Sequence, residues 1–469
     1  MGNRKVRIAL TKGFFEKKGW VLVYKRLKSP FGVQVEVTGA CPHLCQHCYN
    51  FWRGKESRLV VMSTKNFLAP KNAESIFRKL NDAEVFNVVI TGGEPLLNMP
   101  ASLACIELAR SSNMGVNMNS SLTLLTTEKA IALRMAGLKH ILTSILGPTP
   151  EIHDSITKSQ NSFRLLLNGI RVAQDAGISV SANMVVSSLN VEHVRTTAEV
   201  VSGLGIKTFN ATKAGCPGNC RDFFDLSLSQ KQVVRFLNDL CWVRQHLEIE
   251  VDTLEPIPLC GLYGVEHPEL FTTRRCVAGI TTMTVSYDGP VRPCSHLDLS
   301  YGNLLQEDFK TIWDRMDLWR EGFQIPGECK TCPLFPMCGA GCRMEAKTRT
   351  GKINDLDPYS IPHHALEMAK GIKERRAGNV PKTETLTSFR TVKFRLRQES
   401  FGGVVALGGN KMVLLDQHGF EIVRQFRSET VYEISDPTID WRGLKPDQFV
   451  VSLVSRGMVS SVKKGGDVT

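Results

Sequence analysis

Six short β-rich runs separated by helical stretches fill the chain between Val33 and about Thr212, and this alternation limits the possible folds more than any other feature. The candidate strands are Val33 to Val37, Phe86 to Thr91, Gly115 to Asn119, His140 to Ser144, Ser179 to Val186 and Lys207 to Ala211. A repeated strand-helix order predicts a parallel sheet, because parallel neighbours need a crossover long enough to hold a helix. Six such units make an α/β fold, a partial (β/α)6 barrel. Ligands in such folds sit at the C-terminal ends of the strands, so the loops that follow the strands are where chemistry is expected.

Past about Phe223 the alternation stops. A helical stretch from Gln230 to Gln245 leads into a loop-rich, cysteine-rich region that ends near Met368. Small folds of that kind usually need metals as staples. Residues 370–388 are polar and basic, with Pro381 and several threonines, and read as a linker. In the last eighty residues, Val392 to Gln398, Val404 to Leu407 and Met412 to Leu415 read as short strands, with turns at Phe401-Gly402-Gly403 and Gly408-Gly409-Asn410. Gly419 to Phe426 and Asp447 to Ser455 carry apolar residues at helical spacing, which predicts a winged-helix-like module. The expected division is a basic N-terminal extension (1–32), the barrel (33–225), a cysteine-rich domain (226–369), the linker and the C-terminal module (389–469).

At 469 residues, 42% hydrophobic and 22% charged, the chain can bury large cores and is not a disordered polymer. Its net charge of +12 suits an anionic partner or a solvated basic surface. No stretch has the pattern of a signal peptide, and no apolar run is long enough to cross a bilayer, so no membrane is expected and a cytoplasmic location is. In that reducing compartment, fourteen cysteines in tight clusters read as metal ligands rather than disulfides.

The first cluster follows the first strand directly. In Cys41-Pro-His-Leu-Cys45-Gln-His-Cys48 three thiols share one loop at the mouth of the barrel, which suits one face of a 4Fe-4S cluster and leaves the fourth iron open. A zinc site is the alternative, but His43 and His47 lie inside the loop, where the backbone hardly lets them converge on an ion. CxxxCxxC followed by an aromatic residue, Tyr49, resembles the radical S-adenosylmethionine (SAM) superfamily. Gly92-Gly93-Glu94-Pro95, at the end of the second strand, is similar to that family's GGEP turn. The resemblance implies glycines that let the backbone approach the SAM methionyl group and a glutamate that accepts from its amino group. Ser144, in Ser-Ile-Leu-Gly-Pro ahead of His153-Asp154, is similar to a serine that contacts SAM, although Leu146 stands where the family has Asp. Asn119 and Ser120 are similar in place to ribose-binding residues and could equally cap a helix.

Cys276, Gly289 and Cys294 fit one further pattern, and Cys329, Cys332, Cys338 and Cys342 fit CxxCxxxxxCxxxC; together they resemble the SPASM auxiliary-cluster domain. That resemblance implies a first auxiliary cluster on Cys276, Cys294 and Cys342, with Cys260 as a fourth ligand, and a second on Cys329, Cys332 and Cys338. The family closes the second cluster with a cysteine after Asp-Pro-Tyr, but Asp357-Pro358-Tyr359 is followed here by Ser360. Asp357, Ser360, His363, water or substrate are the candidates for that position, and loss of the cluster or zinc knuckles are alternatives. Cys216 and Cys220 flank a turn past the last barrel strand, and Cys105 and Cys241 read as core residues.

Phe394 to Gly403, Leu414 to Gly419 and Phe449 to Val459 resemble the PqqD peptide chaperone, whose fold serves as a leader-peptide recognition element in maturation of ribosomally made peptides. Met412, Val413 and Leu414 are expected on an edge strand that a peptide can extend. Nucleic acid is not an expected partner, since Asp447 to Ser455 has no basic residue. Taken together, the resemblances imply a peptide maturase that cleaves SAM to a 5′-deoxyadenosyl radical, takes a hydrogen atom from a precursor peptide, and installs a crosslink, thioether or backbone rearrangement. A ferredoxin or flavodoxin would supply electrons. The alternatives are maturation of a folded protein, as in sulfatase maturation, oxidation of a small-molecule cofactor precursor such as a haem precursor, and, in a different class, a zinc-stabilised nucleic-acid-binding protein.

Overall fold

Apolar residues recur every three or four positions in the helices and almost continuously in the strands, the pattern of a sheet covered on both faces. In the computed structural model of the protein, described over residues 15–18, 21–50, 66–215, 221–377, 387–407 and 411–462, that pattern resolves into two separate units. One is Ser29–Arg376; the other joins Met1–Lys28 to Ala377–Thr469. Cys216, Cys220, the Gly408-Gly409-Asn410 turn, the first fourteen residues and residues 378–386 of the expected linker lie outside the described residues. None of the helices described is long and apolar enough to cross a membrane.

The N-terminal hairpin pairs β1 (Phe15–Lys18) with β2 (Val21–Tyr24). The larger unit is built on β3 (Gly32–Thr38), β4 (Asn87–Gly92), β5 (Gly115–Asn119), β6 (His140–Ser144), β7 (Ser179–Val186), β8 (Thr208–Lys213), β9 (Glu250–Asp252), β10 (Thr282–Val285) and β11 (Val291–Arg292). These form one sheet in the order β11-β10-β3-β4-β5-β6-β7-β8-β9, parallel from β10 through β9, with β11 antiparallel at the edge. All six expected strands are present, most within a residue of their expected bounds. The sheet is wider than expected: β9 extends one edge, and the β10-β11 hairpin extends the other with residues the sequence assigned to the loop-rich region.

Helices cover the sheet through single apolar stripes. Pro70–Asp82 buries Ala73, Ile76, Phe77 and Leu80, spaced as one helix face. Val35, Val37, Val88 and Ile90 of the central strands are completely buried beneath them. Each such side chain contributes roughly 1.5–3 kcal/mol on leaving water, enough to fix the register of the strands and the positions of their loops.

In the second unit, β12 (Ser388–Thr391) lies between β16 (Val431–Glu433) and β17 (Val459–Ser461), and β14 (Gly402–Ala406) lies between β13 (Arg395–Glu399) and β15 (Met412–Asp416). Helices Gln417–Val423 and Pro446–Val454 pack Phe420, Ile422, Phe449 and Leu453 against Val405, Val413, Leu415 and Phe389. The three short strands and two helices expected there are present, with three strands besides. Gly402 and Gly403, expected in a turn, are the first residues of β14, and among the described residues β15 is the last strand of its sheet. The helix Ala365–Ala377 occupies the start of the expected linker.

Candidate functional site

Cys41, Cys45 and Cys48 lie just past the C-terminal end of β3, where backbone hydrogen bonds clamp their loop. Leu44 N donates to Thr157 O at 3.0 Å, Gln46 N to Ile156 O at 3.0 Å, and Cys48 N to Cys45 O at 3.2 Å, so the loop rests on the end of the Pro150–Thr157 helix. His43 Nε2 is 2.9 Å from Thr123 Oγ1. Burial pushes the His47 imidazole down to about 4, which keeps it neutral.

The Gly92-Gly93-Glu94-Pro95 turn packs against the segment that leads into Cys41. Gly93 N donates to Thr38 O at 2.6 Å and Glu94 N to Ala40 O at 2.8 Å. Gly92 has φ +126°, and a Cβ on Gly93 would lie 1.9 Å from Ala40 O. The glycines therefore serve the approach of two protein loops to one another, a nearer cause than the approach to SAM inferred from sequence. Glu94 is buried, with Oε1 accepting from Ser120 Oγ (2.7 Å) and Leu96 N (3.1 Å) and Oε2 from Ser121 N (2.8 Å) and Ser121 Oγ (2.5 Å). All four acceptor positions of the carboxylate are thus taken by the protein, and it ties the end of β4 to the end of β5. Ser120 Oγ also accepts from Leu122 N, forming a local turn, while Thr126 caps the following helix. Pro95 is buried beside Glu94, and Asn119 is half-buried at the end of β5.

Ser144 ends β6, half-buried and paired with Asn183 of β7. Past it, Leu146 is buried, and its N donates to His153 Nδ1 at 3.1 Å while its O accepts from Asn190 Nδ2 at 2.9 Å. Burial pushes His153 down to about 4. Asp154 Oδ1 accepts from Ser162 Oγ and Phe163 N, which fixes the start of the next helix. His153 and Asp154 thus shape this loop. The residues singled out from sequence therefore fall along one edge of the sheet, at the ends of β3, β4, β5 and β6.

The remaining cysteines form two groups. Cys276, Cys294 and Cys342 lie close enough to influence one another's ionisation, and burial pushes Cys294 up to about 12. The Cys342 thiol donates to Glu255 Oε1 at 3.3 Å. The sequence grouped Cys260 with these three, but its neighbours are the other set. Cys329 feels Cys338, Cys332 and Cys260; Leu259 N donates to Cys338 Sγ at 3.3 Å; and Ile361 N donates to Cys260 Sγ at 3.3 Å. Sequence separation hides this, because Cys260 meets partners some seventy to a hundred residues away. Asp357, a candidate ligand from sequence, accepts from Cys342 N and Tyr359 N and so holds the Asp-Pro-Tyr turn.

Several charged residues around the first group were not anticipated. Lys213, at the end of β8, is buried with Nζ 3.3 Å from Glu345 Oε2 and 3.5 Å from Glu255 Oε2. Burial pulls its pKa down, but Glu255, Glu345 and Asp357 together push it well above its ordinary value. Burial acts to raise Glu255, and Lys213, His296 and the Cys342 thiol outweigh it and bring the carboxyl to about 2. The His296 ring lies 4.6 Å from the Tyr49 ring, and its Nδ1 is 3.6 Å from Glu255 Oε1. A continuous contact path, Cys48-Tyr49-His296-Glu255-Cys342, thus runs from the first cysteine loop to the first group beyond it. Glu36 on β3, raised to about 7 by burial, binds Arg292 on β11 at 2.5 Å and locks the added hairpin to the barrel. No signal in sequence marked Lys213, which lies two residues past the expected strand end at Ala211; the pairings depend on tertiary proximity.

These groupings suit iron-sulfur clusters. None of the twelve described cysteines is disulfide-bonded. An iron-sulfur cluster takes each thiolate on a different iron, which suits cysteines gathered from several chain segments. Cys105 and Cys241 are buried on helices and belong to the core.

Comparison with known proteins agrees with this geometry. Residues 35–201 match the Radical SAM superfamily, and residues 276–333 match the SPASM iron-sulfur cluster-binding domain. An AdoMet-dependent heme synthase of Methanosarcina barkeri is 26% identical over 70% of this chain and 95% of its own length. The mycofactocin maturase MftC of Mycobacterium tuberculosis is 26% identical over 72% of this chain and 85% of its own. In fold, the chain resembles native anSMEcpe with bound AdoMet (TM-score 0.59, 17% identity, 75% of this chain and all of that one). It likewise resembles Streptococcus suis SuiB bound to its precursor peptide SuiA (TM-score 0.55, 14% identity, 71% and 76%).

Proposed function

The chain is a radical SAM enzyme that carries a SPASM domain and uses SAM, a 4Fe-4S cluster and auxiliary iron-sulfur clusters, and we propose that it oxidatively modifies a ribosomally made precursor peptide. When bound, the cluster supplies the electron that cleaves SAM, and the carbon radical so released takes a hydrogen atom from substrate. Cys41, Cys45 and Cys48 hold that cluster and leave one iron for SAM. Tyr49, Gly92, Gly93, Glu94 and Pro95 form the wall beside it, and Asn119, Ser120 and Ser144 line the neighbouring strand ends. In this reading Glu94 acts chiefly by fixing Ser120 and Ser121 in place, since its own oxygens are occupied. Cys276, Cys294 and Cys342, close to Glu255 and Lys213, would hold an auxiliary cluster, which would supply an electron acceptor for the oxidation. Burial keeps water from this interior, and a ferredoxin or flavodoxin delivers electrons from outside.

The observation that carries the peptide reading is the second unit. Among the described residues β15 stands last in the order β13-β14-β15, with Val413 and Leu415 anchored in a core of their own, and a strand so placed is the kind of element that a peptide strand can extend. The likeness of the larger unit to a mycofactocin maturase and to SuiB with its precursor peptide supports the same substrate class. A second reading, oxidation of a tetrapyrrole-like precursor, is favoured by the likeness to an AdoMet-dependent heme synthase over nearly its whole length.

The test is anaerobic incubation of the reconstituted enzyme with SAM, reductant and a small precursor peptide encoded beside its gene, followed by mass spectrometry. A mass loss in the peptide that requires Cys41, Cys45 and Cys48 is expected. An unchanged peptide, with oxidation of a haem precursor in the parallel reaction, would transfer the case to the second reading.

A further inference from the structure

The geometry points to Cys260 as the fourth thiolate of the second auxiliary cluster, supplied from a different chain segment than the turn that ends in Ser360. This inference rests on the reading that the second cysteine group binds a cluster.

The segments that carry Cys260, Cys329, Cys332 and Cys338 come together there, joined by the hydrogen bond from Leu259 N to Cys338 Sγ. Cys329 and Cys332 lie on either side of the short Gly327–Lys330 helix end, and Cys338 closes the Phe335–Cys338 turn. Cys260 comes from the Leu259–Leu262 turn, almost seventy residues earlier. Its position is fixed on both sides. The residue before it, Leu259, donates its backbone N–H to Cys338 Sγ at 3.3 Å, and Cys260 Sγ itself accepts from Ile361 N at 3.3 Å and from the Ser360 hydroxyl. Gly261, next in the chain, sits so close to the Asp-Pro-Tyr turn that a Cβ would lie 2.1 Å from Tyr359 O.

Ser360 thus stands beside the sulfur of Cys260. A thiol at 260 and a hydroxyl at 360 divide the work that a single cysteine after Asp-Pro-Tyr could do: one supplies the ligand, the other a hydrogen bond to it. The alternative oxygen ligand on the same turn, Asp357, has its oxygens committed to Cys342 N and Tyr359 N. Ligation takes Cys260 as the thiolate, with its proton passing to solvent as the iron-sulfur bond forms. N–H and O–H donors at the sulfurs are among the levers that set a cluster's potential, so Leu259, Ser360 and Ile361 also tune this one.

Cluster inventory in the full-length, anaerobically reconstituted protein tests the assignment, through iron and sulfide per chain and through Mössbauer and EPR signatures of each cluster. Cys332→Ala and Cys276→Ala first identify the signals of the second and first groups. Cys260→Ala is expected to abolish or convert the signal lost in Cys332→Ala, and the Cys260→Ala/Cys332→Ala pair should lose no more iron than Cys332→Ala alone. Cys260→Ala/Ser360→Cys should regain the iron of one cluster, because the new thiol arises beside the vacated one. Loss of the Cys276-dependent signal in Cys260→Ala, or no change in any signal, would overturn the assignment. Should the alanine variants not fold, alkylation of wild-type holoenzyme decides: Cys260 is expected to be shielded together with Cys332 until a chelator removes iron, and labelling of Cys260 in the loaded enzyme contradicts the proposal. An undiminished iron content in Cys332→Ala would sink the second cluster itself, an outcome distinct from misassignment of Cys260.

Discussion

Lys213 shows how much one side chain can hold. It is an ammonium sealed from water between Glu255 and Glu345, and the pairing costs desolvation that only these contacts offset. Replacing it by Met removes the buried cation that Glu255 and Glu345 share, and chemical denaturation should record a loss of about 3–5 kcal/mol in the larger unit. His153 makes a prediction of opposite character. Burial holds it neutral, with a folded-state pKa near 4 against 6.5 for an ordinary imidazole, while Nδ1 accepts from Leu146 N. Unfolding lets it take up a proton between those values, so its contribution is full above about pH 6.5 and fades as pH falls toward 4. The loss is on the order of 3 kcal/mol. Stability measured from pH 7 to 4 should fall by that amount more in the native protein than in His153→Gln.

At the scale of elements, the tightest junction is the one between the cysteine loop and the Gly92-Gly93 turn. Gly93→Ala places a methyl 1.9 Å from Ala40 O and has to push the two loops apart. The protein should keep its fold yet cleave SAM more slowly by a factor on the order of 100, read as methionine and 5′-deoxyadenosine formed per minute, since even a 1 Å displacement carries that cost. The six strands of the barrel were legible because each is a β-rich run set between helical stripes. β9, β10 and β11 were not, since two to four residues carry too little periodicity to stand out and only the pairing of β9 with β8, β10 with β3 and β11 with β10 makes them strands. The cysteine loop and the four-residue turn after β4 were legible for the opposite reason: their chemistry is local.

For the whole molecule, the chain folds as two units, one carrying the cysteine groups and one the edge strand β15. If the second unit captures the leader of a precursor peptide, it raises the local concentration of the core peptide without touching the chemistry. Removing residues 389–469 should then raise KM for the full-length precursor by roughly tenfold or more while leaving peptide-independent SAM cleavage within about twofold. Equal loss of both in steady-state kinetics would show that the second unit supports the larger one rather than the substrate.

The amino-acid sequence by itself determined the parallel sheet, the three-thiol loop and the spacing of the cysteine sets, because these depend on spacing within a few residues or on a repeated local period. Tertiary structure alone decided that the Cys260 segment lies against Cys338 and Ile361, that Glu94 is spent on Ser120 and Ser121, and that Lys213 is enclosed by Glu255 and Glu345. Those are contacts between residues far apart in the chain. No local pattern encodes them, since they exist only once the burial of many apolar side chains has brought the segments together.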